Sequence, residues 1–131
     1  MSNLHVLAVL AATVVAFVLS AGWYAGFGGR LASLSDAYAE SAASPAWTLV
    51  AEVVRNAVVA TVVGVLTAQA GIESAAGAIA FALLAWLGFP ATILAGSVVH
   101  ERVPAGLAAI HAGDWLLKLV AITMILGLWQ P

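Results

Sequence analysis

The chain has 131 residues, of which 64% are hydrophobic and 8% are charged, whereas about a quarter of the residues in a soluble domain are charged. Its four basic and six acidic residues provide no basic surface for nucleic acid, and the absence of cysteine excludes disulfides, thiolate metal sites and cysteine nucleophiles. The composition predicts an integral membrane protein whose surroundings are the lipid bilayer and whose partners do not include nucleic acid.

Four long apolar segments follow one another along the chain. An α-helix needs about 20 residues to cross about 30 Å of hydrocarbon. Helices of about this length are predicted at 4–27, 47–68, 75–99 and 107–129. Because the connections after the second and third helices are short, consecutive helices should be antiparallel neighbours. We therefore expect an all-α fold, an integral membrane four-helix up-down bundle that forms a single transmembrane domain over residues 1–131.

The first segment and the connection after it each allow two interpretations. Ser20, Ala21 and Gly22 would suit a signal-peptide cleavage site, but no basic stretch precedes the apolar residues, so we predict a membrane helix. In the connection, apolar residues at helical spacing predict a short interfacial helix within 31–43. A flexible loop explains the same residues equally well.

Polar and aromatic residues gather at one end of the predicted bundle. The alternating direction of the helices brings together the end of the first, the start of the second and the start of the fourth. We predict that these residues form a ligand-binding site. The candidate residues are Trp23, Tyr24, Arg30, Glu52, Arg55, Asn56, His111, Asp114, Trp115 and Lys118.

The charged candidates have a structural and a functional interpretation. Glu52 and Arg55 are three residues apart and Asp114 and Lys118 are four apart, so each pair can meet on its own helix. Such ion pairs would let the helices enter the bilayer and would set their register. Alternatively, the charges line a cavity that binds a ligand or relays protons, because ionisable groups in a membrane are costly and usually functional. The sequence leaves both open.

His111 and Asp114 lie one helical turn apart, a spacing at which a carboxylate can orient an imidazole or both can bind a metal. The sequence has no His-Glu-x-x-His pattern and no cysteine cluster. We therefore predict no metal site and no cofactor, and we assign no catalytic residue. Enzymatic activity is the less favoured class of function.

Three motifs resemble those of one bacterial family. They are Gly22-Trp23-Tyr24 followed by Phe27-Gly28, Trp86-Leu87-Gly88-Phe89, and Ile110-His111-Ala112-Gly113-Asp114 running to Leu128-Trp129. In this order the motifs make nearly the whole chain similar to the family called domain of unknown function 1761. Its members often have a proline before the phenylalanine, where this chain has Gly26. The resemblance implies a small four-span membrane protein and supplies no activity.

The distribution of basic residues predicts the orientation. Arg30 and Arg102 belong to the first and third connections, whereas the termini and the second connection have no lysine or arginine. By the positive-inside rule, the polar loops 28–45 and 100–106 should be cytoplasmic, in the inner membrane of a bacterium.

Three hypotheses for the function follow. The first is a homo-oligomer with a one-sided polar cavity that binds or transports a small ligand or ion, in which loss of Asp114 should affect binding or flux more than folding. The second is an accessory or scaffold subunit of a larger membrane complex. The third is an intramembrane enzyme acting on a lipid head group, with His111 as base and Asp114 orienting it.

Overall fold

A computed structural model describes residues 5–36 and 46–129 of the chain. Its helices are α1 (Val6–Gly26), α2 (Gly28–Leu34), α3 (Ala46–Ala70), α4 (Ala75–Glu101) and α5 (Ala105–Leu128). Helices α1, α3, α4 and α5 are long and apolar enough to cross a membrane. The predicted all-α helical bundle is confirmed, and four of its helices are candidate membrane spans. Helix α2 covers the beginning of the predicted interfacial helix, and residues 37–43 of that prediction lie outside the described residues.

The turn between α3 and α4 is set by a glycine. Gly71 has a φ of +69°, in the left-handed region that other residues rarely adopt. The amide of Gly71 donates to the Ala68 carbonyl over 3.3 Å, and that of Ile72 donates to the Thr67 carbonyl over 3.0 Å, which is the hydrogen bonding of a Schellman motif. The motif ends α3 at Ala70, slightly beyond the predicted end.

Helix α4 contains a π-helical segment, Leu87–Ala91, in its middle. Pro90 lies within it and has no N–H to donate to the preceding turn, so the regular α-helical hydrogen bonding cannot continue through this point. The Thr92 hydroxyl donates to the Leu87 carbonyl over 2.8 Å and so satisfies one of the displaced acceptors. π-Helical turns of this kind are frequent at functional sites.

Helix α5 is the centre of the bundle, because it packs against α1, α3 and α4. Helix α1 also packs against α3. Small side chains allow this close approach, and van der Waals contacts then hold the helices together. The buried core consists of Ala12, Ala16, Ala60, Val63, Ala82, Leu119 and Ile122.

Helices α3 and α4 do not pack against each other along their length, although a short turn joins them. They diverge from that turn and leave an apolar cleft of about 770 Å³ between them. Trp115 and Leu119 of α5 contribute to its lining. The two helices are connected through α5, which packs against both of them.

Candidate functional site

Asp114 is the centre of a buried polar network between α1 and α5. Its side chain accepts a hydrogen bond from the Ser20 hydroxyl over 2.5 Å and forms an ion pair with the Lys118 ammonium over 3.0 Å. Both members of the ion pair are buried, Asp114 with 2% and Lys118 with 4% of its surface exposed. The Lys118 ammonium also lies 4.2 Å from the centroid of the Trp115 ring, a cation–π contact. The charges are therefore compensated inside the protein.

Tyr24 links His111 to this ion pair. Its hydroxyl oxygen is 2.6 Å from His111 Nδ1, and it donates to Asp114 Oδ2 over 3.4 Å. The imidazole tautomer decides which group donates in the shorter contact. His111, Tyr24, Asp114 and Lys118 thus form a continuous chain of hydrogen-bonding groups, with the tyrosine hydroxyl between the imidazole and the carboxylate.

Two tryptophans bind the backbone of α5 close to the network. The indole N–H of Trp23 donates to the Ile110 carbonyl over 2.9 Å, and that of Trp86 donates to the Ala112 carbonyl over 2.8 Å. A Cβ atom at Gly113 would lie 2.4 Å from Trp23 Cζ2, so only a glycine fits beneath this indole. Helices α1 and α4 are therefore fixed to the turn of α5 that carries His111 and Asp114.

A small cavity of about 270 Å³ lies between α3 and α5, next to the network. Four of its lining residues carry hydrogen-bond donors or an aromatic ring: Arg55, Asn56, Trp115 and Lys118. Asn56 has only 2% of its surface exposed, and within the described part of the chain its Nδ2 has no hydrogen-bond partner. A buried donor without a partner costs about 1 to 3 kcal/mol, so such atoms are rare.

Two of the candidates lie outside both the cavity lining and the buried network. Glu52 is paired with Arg55 on α3, and 40% of the Glu52 side chain and 61% of the Arg55 side chain are exposed. Glu52 does not line the cavity. Arg30 is on α2, where its guanidinium lies beside Gly106 at the start of α5. The predicted set is thus divided between the cavity, the buried network and these peripheral positions.

Within the residues that the structure describes, no cluster of three or more histidine, aspartate or glutamate side chains is arranged to hold a metal ion. The polar groups of the network bind one another. The chemistry that the arrangement allows is hydrogen bonding, charge compensation and proton transfer along the His111–Tyr24–Asp114 chain.

Residues 7–127 match the family described as Protein of unknown function (DUF1761). The chain belongs to this family. No curated protein and no solved structure shows significant similarity to it. The resemblance to DUF1761 rested in part on Trp23, Tyr24, Trp86, His111 and Asp114, and the structure brings these residues together around one turn of α5.

Two contributors to this DUF1761 network were not among the candidates. Ser20 lies one turn before Tyr24 on α1, and its place on the same helical face was the signal that could have identified it. Trp86 is in an otherwise apolar segment, so its indole N–H needed an acceptor, but no local pattern indicated that the acceptor would be a carbonyl of α5.

Proposed function

We propose that this membrane protein binds a small ligand in the cavity between α3 and α5, and that the ligand carries hydrogen-bond acceptors. The observation that carries the proposal is the positive charge of the cavity lining, which contains Arg55 and Lys118 together with the polar side chain of Asn56. Ligand acceptors would bind to the charged side chains of this lining. The four apolar helices support the membrane class, and the choice of ligand binding rests on the cavity alone.

The two charged residues around the cavity are both hydrogen-bond donors. Arg55 and Lys118 carry positive charge and line the cavity, whereas their acidic partners Glu52 and Asp114 do not. An arginine has five N–H donors and a lysine three, so each keeps donors beyond those used in its ion pair. This imbalance favours a ligand with acceptor oxygens over one that donates.

The buried network has a different role in this proposal. The Asp114 carboxylate already binds Ser20, Tyr24 and Lys118. Because its hydrogen-bonding capacity is used within the protein, a structural role is favoured, in which Asp114 joins α1 to α5. We therefore propose that Asp114 acts on the ligand only by positioning Lys118. The ligand contacts themselves fall to Arg55, Asn56 and Lys118.

Replacing Asn56 with leucine tests the proposal. Leucine has a similar size and removes the unpartnered donor, so the protein should fold at least as well while losing a bound ligand. Native mass spectrometry of the protein released gently from membranes should show an adduct on the wild type that is absent from Asn56→Leu.

The matched control is Thr123→Val. The Thr123 hydroxyl is also buried without a partner in the described residues, but it does not line the cavity. The adduct should persist in this variant. An adduct that survives in Asn56→Leu, or a wild-type protein that carries none, contradicts the proposal.

We also propose that a second copy of the chain covers part of α3. The Glu52–Arg55 ion pair is largely exposed, and Arg55 lies about 13 Å from the start of a helix that rises 1.5 Å per residue. Charges at this depth are costly against lipid, and a protein partner would shield them. An accessory subunit of another protein would do the same, and the same mass spectra distinguish the two by the mass of the partner.

The orientation in a bacterial inner membrane is tested by cysteine labelling, because the chain has no cysteine of its own. Arg30 and Arg102 favour a cytoplasmic position for the end of the bundle that carries α2. A membrane-impermeant maleimide should label Glu73→Cys, in the opposite connection, in intact spheroplasts. It should label Ser33→Cys, on α2, only in inverted vesicles. The reverse pattern would show the opposite orientation.

A further inference from the structure

Five side chains of α3 repeat at the spacing by which two helices pack in parallel. The intervals between them alternate between three and four residues, so they stay on one side of the helix over several turns. Left-handed pairs of membrane helices pack with the same geometry. This surface, which we call the α3 stripe, consists of Glu52, Arg55, Val59, Val62 and Leu66.

The α3 stripe lies largely outside the bundle. Helix α3 packs against α1 and α5, and its buried residues are a separate set. On the stripe, 61% of the Arg55 side chain is exposed, and Val62 and Leu66 are exposed as well. Within the described residues, the bundle therefore leaves most of this surface uncovered. The buried set is Asn56, Ala60, Val63, Gly64 and Thr67.

The two charges of the stripe distinguish it from the other exposed side of α3. That other side exposes Val50 and Val54, which are suited to contact with lipid. Glu52 and Arg55 belong to a helix that is long and apolar enough to cross the membrane. Exposed charges in such a helix are costly against lipid and normally face other protein or water. The stripe is therefore the part of α3 that requires a covering partner.

We infer that the α3 stripe packs against the same stripe of a second copy of the chain. The two α3 helices are parallel and related by a two-fold axis along the membrane normal. Glu52 and Arg55 pair across this axis as well as along their own helix. The inference rests on the proposed second copy and specifies the surface by which that copy binds.

A two-fold axis makes this pair of charges complementary to itself. Arg55 lies about 4.5 Å further along the helix axis than Glu52, and the axes of packed helices are about 8 to 10 Å apart. Both side chains are long enough to meet across such a gap. Each carboxylate then lies between two guanidinium groups, and the five donors of an arginine allow it to bind two carboxylates. This complementarity of charge favours a second copy over an apolar partner.

The apolar half of the stripe also forms a wall of the cleft between α3 and α4. Val62 and Leu66 line this cleft. A helix that packs on the stripe therefore lies along the cleft and faces its opposite wall, where Phe89 and Ile93 are exposed. By symmetry, each α3 would contact α4 of the other copy. The second copy thus covers both the exposed charges and the apolar cleft.

Charge reversal tests the pairing between copies. Two differently tagged full-length chains are expressed together, and the amount of one that is purified with the other in mild detergent is measured. Glu52→Arg alone and Arg55→Glu alone each put like charges on the stripe, so each variant should associate with itself at least tenfold less than the wild type. Association of Glu52→Arg with Arg55→Glu restores opposite charges across the axis and should return to within about threefold of the wild type.

This mixture separates the inference from an ion pair confined to one helix. Each variant still has two like charges along its own helix, so an ion pair within the helix predicts no recovery when the variants are mixed. The absence of recovery would overturn the inference.

Cysteine cross-linking locates the interface without changing the charges, because the chain has no cysteine of its own. Val62 is an exposed residue of the stripe, and Thr61 is its exposed neighbour at nearly the same depth on another side of α3. Oxidation of native membranes with copper phenanthroline should give a cross-linked dimer of Val62→Cys. Thr61→Cys is the matched control and should give at least tenfold less. Equal cross-linking at the two positions would overturn the stripe as the interface.

These measurements distinguish failure of the inference from failure of the proposal on which it rests. A dimer in native mass spectra that is insensitive to charge reversal, without a cross-link at Val62→Cys, would leave the second copy in place and overturn the stripe. A monomer in native mass spectra, without a cross-link at either position, would contradict both.

Discussion

Replacing Lys118 with methionine is expected to lower the free energy of unfolding by about 3 to 5 kcal/mol. Methionine retains most of the length of the side chain and its packing against Trp115, but it removes the ammonium 3.0 Å from Asp114. The carboxylate would then remain buried with only hydroxyl donors, from Ser20 and Tyr24. Unfolding of the purified protein by sodium dodecyl sulfate in mixed micelles, followed by circular dichroism, measures the loss.

A double variant separates the ion pair from the rest of the side chain. Asp114→Asn combined with Lys118→Met removes both charges, so it should recover more than half of the loss. Arg30→Met is the control for a charge outside the buried pair: Arg30 is exposed on α2, so its replacement should change the stability in micelles by less than about 0.5 kcal/mol. Losses that simply add in the double variant would show that the two buried charges do not stabilise each other.

The membrane spans could be predicted from sequence because the bilayer imposes their length. A run of apolar residues long enough to cross the hydrocarbon has few alternatives to a helix, since lipid satisfies no backbone hydrogen bonds. The two ion pairs could also be anticipated, because partners three or four residues apart meet on one helix whatever surrounds it. These features depend on local spacing alone.

The contacts between helices could not be predicted in the same way. Which residue reaches Asp114 from α1 depends on the rotation and crossing of two helices, and Ser20 is 94 residues away in sequence. The pairing of His111 with Tyr24 has the same origin: the sequence suggested that Asp114 would orient the imidazole, and the structure puts the tyrosine hydroxyl 2.6 Å from Nδ1. Helical periodicity identifies the face of a residue and not its partner.

The cleft could not be predicted from the short connection between α3 and α4, which indicates only that the two helices are antiparallel. A turn fixes only the ends that it joins, and the rest of each helix goes where its side chains pack best. Pro90 was the available signal for the irregular turn in α4, since a proline inside an apolar helix removes a backbone donor.

The second large effect is expected at Gly113, where alanine should destabilise the protein by about 1 to 3 kcal/mol. In most helices a change from glycine to alanine is favourable by about 1 kcal/mol, because it restricts the unfolded backbone. Here the new Cβ would lie 2.4 Å from Trp23 Cζ2, so the indole must move and its hydrogen bond to the Ile110 carbonyl is disturbed. The thermal midpoint of Gly113→Ala in detergent should fall below that of the wild type.

Gly22→Ala provides the matched control, because Gly22 is also helical and a Cβ there meets no atom within 4 Å. This variant should be as stable as the wild type or more so. Adding Trp23→Phe to Gly113→Ala removes the ring atoms that clash, so the double variant should lose less stability than the two single losses combined. If Gly22→Ala and Gly113→Ala lowered the stability equally, the cause would be the helix backbone. The close contact between Trp23 and α5 would then not explain the glycine at position 113.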